Sequence, residues 1–163
     1  MIKKLFLILF FLNIATNSYS AGSDSNSTTS KLKSDYDKAV ESIKFAKKFE
    51  KKGKIKKAMK RYTKAQKLLL KSNTKKPNQA DTLNYLGFTT RKLGNFEQGE
   101  KYYLQGLDIN PNHIGINEYL GELYVVTNRV DLAKQRLEVL KDCNCEEYSE
   151  LEAVINGSKK SKY

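Results

Sequence analysis

The chain has 163 residues, 30 basic and 18 acidic, with one histidine, two cysteines and no tryptophan. A lone histidine excludes a two-histidine metal site. Glycine-rich phosphate loops are missing, so no cofactor or metal is expected and the chain reads as non-enzymatic.

Met1 to about Ser20 is read as an export signal. Lys3 and Lys4 precede an apolar run from Leu5 to Leu12, and Ser18 and Ser20 supply small residues before a cleavage point. The run is short of the roughly 20 apolar residues of a membrane span, although an uncleaved anchor is the alternative. No cysteine lies near the cleavage point, which argues against a lipid-modified N-terminus. The expected destination is the periplasm or the exterior. Residues 21–33, rich in Gly, Ser, Thr and Asn, read as a flexible linker.

Helical periodicity then begins. Val40, Ile43, Phe45, Ala46 and Phe49 mark a first helix, Gly53 a turn, and Ile55, Ala58, Met59, Tyr62, Ala65, Leu68 and Leu69 a second that stops before Pro77. Leu83, Leu86 and Leu93 line a third segment, and Phe96, Tyr103, Leu107 and Ile109 a fourth. Between these two, Gly94 offers a left-handed helix end and Asn95 an N-cap acceptor. A shift of 34 residues carries Leu86-Gly87 onto Leu120-Gly121, Gly94-Asn95-Phe96 onto Asn128-Arg129-Val130, and Tyr103 onto Leu137. Such a period marks a repeat array. Gly53 lies 41 residues before Gly94, a surplus of 41 − 34 = 7, about two helical turns, placed at the end of the long second helix. Tyr148, Leu151, Val154 and Ile155 form a last stripe, suited to a helix that caps the array. Gly157 to Tyr163 is polar and is expected to fray.

The stretch 80–113 resembles a tetratricopeptide repeat on Leu83, Leu86, Gly87, Phe96, Tyr103 and Pro111. It departs from the family at Gly99 and Gly106, where alanine is usual, and at Thr90, where tyrosine is. Glycine there weakens the helix by roughly 0.5 to 1 kcal/mol each and lets a neighbouring helix come closer. The resemblance implies an all-α fold, a right-handed α-α superhelix of tetratricopeptide-type helix pairs with about seven helices. Its domain spans 34–156: a degenerate first repeat over 34–76 with an extended second helix, repeats over 80–113 and 114–142, and a capping helix over 146–156.

The same resemblance implies a concave groove lined by the first helix of each pair. Carried across, the partner-binding positions are Lys47, Asn84, Phe88, Arg91, Glu118, Glu122 and Val125. Phe88 with Val125 is the expected apolar anchor, and Arg91, Glu118 and Glu122 the charged rim. The family's carboxylate clamp is absent, since Ile43, Lys47, Tyr85, Gly115 and Tyr119 occupy its positions. The functional expectation is a protein-protein interaction module of the cell envelope, holding a partner segment in the groove as a scaffold or assembly factor.

Charge supports an alternative. Residues 31–76 carry 18 basic and 4 acidic side chains, net +14, whereas residues 77–142 carry 7 and 9, net −2. Lys57, Lys60, Lys64, Lys67 and Lys71 recur every three or four residues as a basic ridge. It suits an anionic lipid surface, an acidic polymer or an acidic partner, each lysine near a charged membrane contributing about 1 kcal/mol. Nucleic acid is not expected for an exported chain. Cys143 and Cys145 read first as a local disulfide, next as free thiols or an intermolecular bridge, and last as a copper-type site. His113 reads as an exposed residue at a helix start.

Overall fold

A computed structural model describes residues 33–161. The expected signal (1–20) and all of the expected linker (21–33) except Lys33 lie outside them. Among the described residues there is no strand and there are seven helices: α1 Asp35–Lys51, α2 Ile55–Lys75, α3 Ala80–Lys92, α4 Phe96–Ile109, α5 Ile114–Val126, α6 Val130–Val139 and α7 Glu146–Ile155. Helices α1 and α2, α3 and α4, and α5 and α6 form pairs; α2 packs on α3, α4 on α5, and α7 on α5 and α6. The all-α architecture of stacked helix pairs is the one expected.

The turns inside the pairs follow from one left-handed residue each. Gly53 has φ +65°, Gly94 φ +92° and Asn128 φ +58°. In each turn the next residue's amide reaches back into the preceding helix: Lys54 to the Phe49 carbonyl, Asn95 to Thr90 and Arg129 to Tyr124. Asparagine replaces glycine in the third turn because its short polar side chain tolerates this conformation. Three of the seven described helix starts are capped by side chains. Ser34 and Asp37 form a capping box on α1, and Asn95 accepts the Gln98 amide at 3.0 Å on α4. Helix α2 has 21 residues and α4 has 14, and the difference of seven accounts for the longer spacing from Gly53 to Gly94.

Small residues set the distance between helices, within pairs and between them. A Cβ at Gly87 would run into the Tyr103 ring, one at Gly106 into the Ile116 side chain, and one at Gly121 into Leu151. At Gly99 it would meet the Arg91 Cγ at 2.7 Å and the Gly87 carbonyl oxygen at 3.1 Å. The two glycines that depart from the family pattern are therefore places where α4 lies too close to its neighbours for alanine. The core runs from Ala39, Ile43 and Ala46 of α1 through Tyr62 and Leu69 of α2 to Leu86 of α3. It continues as Tyr103, Ile116, Leu120 and Leu123, and Leu151 and Val154 of α7 cover its far end.

The start of the tail is folded rather than frayed. Gly157, at φ +77°, turns the chain back; the Lys159 amide donates to the Ala153 carbonyl and its ammonium lies 2.6 Å from Glu150 Oε1. Ser161 Oγ comes within 3.4 Å of Glu122 Oε2 on α5. Left-handed glycine closure plus one charge-assisted contact holds these residues down.

Candidate functional site

The first helices of the three pairs place aromatic and charged side chains on one face. Phe88 of α3 sits between Tyr62 of α2, with ring centroids 5.8 Å apart, and Tyr119 of α5, at 5.2 Å. The Lys47 ammonium of α1 stands 4.6 Å above the Phe88 ring and 5.7 Å from the Tyr119 ring, a cation–π arrangement. It donates to the Tyr119 hydroxyl at 3.3 Å. Side chains of α1 and α5 thus meet across α3, and the concave face is narrow. Glu50 of α1 ties the first two pairs together, accepting from the Tyr62 hydroxyl at 2.8 Å and from Lys92 at 2.8 Å.

Of the expected groove residues, Lys47 and Val125 are half-buried, while Asn84, Phe88, Arg91, Glu118 and Glu122 are buried. Arg91 donates from Nη1 to the Tyr119 carbonyl and lies 5.9 Å over the Tyr103 ring. Phe88 belongs to the core of the first two pairs, whereas Val125 packs on the Tyr103–Ala133 cluster of the next. The two do not share one cluster. Tyr119, which the sequence places at a position of the family's clamp, is thus part of this face, whereas Tyr62 supports Phe88 from the core of the first pair.

Burial pushes the Tyr103 hydroxyl well above the ordinary tyrosine range against the opposing charge of Arg91, and burial with the hydrogen bond to Glu50 does the same to Tyr62. A raised folded-state value means that these phenols stabilise the fold below about pH 10, where the unfolded phenol titrates, and lose that contribution above it. In an alkaline titration followed by phenolate absorbance, Tyr36, Tyr62 and Tyr103, all raised by burial, are expected to ionise last, together with loss of helical circular dichroism. Smooth ionisation of all ten tyrosines in a still-folded chain would contradict this.

His113 is a built N-cap and is half-buried rather than exposed. Its Nδ1 accepts the Ile116 amide at 3.2 Å and its Nε2 lies 3.0 Å from Asp81 Oδ1 of α3. Through these two contacts the ring joins α5 to α3. His113→Ala is expected to lower unfolding free energy by about 1 kcal/mol, read from urea denaturation. His113→Asn, which keeps an acceptor, should recover most of the loss.

The ridge lysines Lys57, Lys60, Lys64, Lys67 and Lys71 are all exposed, opposite the buried Ala58, Tyr62, Ala65 and Leu69 of the same helix. Lys71 lies 3.7 Å from Asp35. Cys143 and Cys145 are joined in a disulfide between α6 and α7, with a Cα–Cα distance of 5.2 Å. No cluster of His, Cys, Asp and Glu fit to hold a metal ion occurs among the described residues.

Comparison with known proteins bears on one pair in particular. Residues 80–113, which contain α3 and α4, match the family model described as Tetratricopeptide repeat. Among solved structures the chain is similar to the "First TPR of Spaghetti (RPAP3) bound to HSP90 peptide SRMEEVD", at 19% identity over 78% of this chain and 97% of that one, with a TM-score of 0.49. No curated protein matches the chain.

Proposed function

We propose that this chain is a non-enzymatic protein-protein interaction module of the cell envelope that holds a partner segment along its concave face. The observation that carries the reading is Lys47 standing over Phe88 and Tyr119, above the buried charged groups of Arg91, Glu118 and Glu122. A partner's side chain that displaced this ammonium would meet an aromatic floor suited to an apolar anchor. The repeat match over 80–113 supports a binding role. The envelope assignment rests on the leader pattern of Lys3, Lys4 and Leu5 to Leu12.

The test is affinity capture from an envelope extract with high-salt washes, using wild type, a Lys47→Glu/Val125→Asp chain and a K60Q/K64Q/K67Q chain. Lys47 and Val125 are half-buried, so their replacement should leave the helix content intact. A specific protein lost only with the first variant is the expected result. Equal capture by wild type and that variant would overturn the concave face as the working surface.

A further inference from the structure

The uncovered end of the array is a second candidate surface, distinct from the concave face. At its other end α7 lies over α5, with Leu151 buried against Gly121. Among the described helices α1 and α2 pack on each other and on α3, with Lys47 of α1 reaching Tyr119 of α5 on the inner face, so no described helix packs on their outer side. A stacked array with one end capped and the other bare is asymmetric in a way that invites a partner at the bare end.

The bare side is basic across two helices. On α2 the five ridge lysines fall within an arc of about 80° and run for about 21 Å along the axis. Lys44 and Lys48 are exposed on α1. The helices are tied edge to edge there: the Ser42 hydroxyl donates to the Arg61 carbonyl at 2.9 Å, and the Arg61 guanidinium stacks 5.2 Å from the Phe45 ring. Phe45 itself is 42% exposed, an aromatic set among cations.

Acidic side chains nearby do not cancel this charge. Helix α2 has none in its sequence. Asp35 is taken by Lys75 at 2.7 Å, Glu41 by Lys33 at 2.7 Å and Glu50 by Lys92 at 2.8 Å, while Asp37 closes the cap at Ser34. Lys60, Lys64 and Lys67 make no ion pair among the described residues.

We propose that this α1–α2 face docks on an anionic lipid bilayer, with the lysines over the headgroups and Phe45 at the interface. A bilayer fits better than a linear polyanion because the charge spreads over two helices and carries an exposed aromatic at its edge, as interfacial segments do. The apolar stripe of α2 is committed to the core, so the helix cannot roll into the membrane. Attachment is therefore shallow, reversible and screened by salt.

The experiment is vesicle co-sedimentation of the full chain on phosphatidylcholine with and without phosphatidylglycerol. The apolar leader would raise binding to both, so the ratio of anionic to neutral binding is the readout. At about 0.1 M salt, where charges act over about 10 Å, a ratio above tenfold is expected, falling toward one at 1 M. Each lysine is expected to account for about fivefold, so K60Q/K64Q/K67Q should lower anionic binding about a hundredfold with unchanged circular dichroism. The chain has no tryptophan, so F45W is a single reporter whose emission should shift to the blue only with anionic vesicles. An unchanged triple variant, an unshifted F45W emission on bound vesicles, or lysine-dependent binding of heparin or duplex DNA without vesicle binding would each overturn the proposal. Because the triple variant leaves Lys47 and Val125 in place, failure here is separate from failure of the concave-face reading.

Discussion

Tyr103→Ala is expected to lower the unfolding free energy by about 3 to 5 kcal/mol, a large part of the roughly 5 to 15 kcal/mol that holds a domain folded. Tyr103 is fully buried and its ring fills the space that Gly87 leaves open. Removing the ring empties a volume bounded by backbone on one side and Arg91 on another, and backbone cannot collapse into it as side chains can. The cavity should therefore persist, placing the loss at the upper part of the range. Guanidinium denaturation of the variant measures it. A refill test sharpens the cause: Gly87→Ala alone should destabilise by about 1 to 3 kcal/mol by pressing a methyl into the ring, and adding it to Tyr103→Ala should cost nothing further. Additive losses would mean that the ring and Gly87 are not coupled as their contact implies.

The architecture was legible because its signals are local. Gly53 and Gly94 announce left-handed helix ends, Asn95 an N-cap, and the spacing of 41 rather than 34 residues an extended α2. Each depends on a few adjacent positions. The character of the concave face was not legible, because periodicity assigns a residue to a face but not to a depth. Phe88, Arg91 and Glu122 lie on the inner helices that the repeat pattern implied, yet their burial depends on how tightly α1, α3 and α5 close on one another. Lys47 reaching Tyr119, 72 residues away, is the outcome of that closure. Gly99 and Gly106 carried a hint of it, since glycine in place of alanine signals close approach, although they could not say of what. His113 shows the same division: its helix-start position was readable, and its contact with Asp81, 32 residues away, was not.

Arg91→Ala is expected to destabilise the chain by about 2 to 3 kcal/mol, the range for losing a hydrogen bond from a charged donor. Only 2% of Arg91 is exposed, so little of its interaction is shared with water. The guanidinium serves the Tyr119 carbonyl on α5 and the Tyr103 ring on α4 while its stem packs on Gly99. One side chain of α3 thus couples the second pair to the third. Arg91→Lys should recover only part of the loss, since an ammonium cannot satisfy a carbonyl and cover a ring with a planar fork. Arg91→Met keeps the stem without the charge and separates packing from hydrogen bonding. Hydrogen exchange would locate the effect: faster exchange in α5 with α1 unchanged is expected, because the lost contacts run from α3 toward the third pair. Full stability of Arg91→Ala with loss of partner capture would instead make Arg91 a contact residue of the concave face. The stability of this variant therefore decides whether a binding defect at Arg91 reports recognition or the fold beneath it.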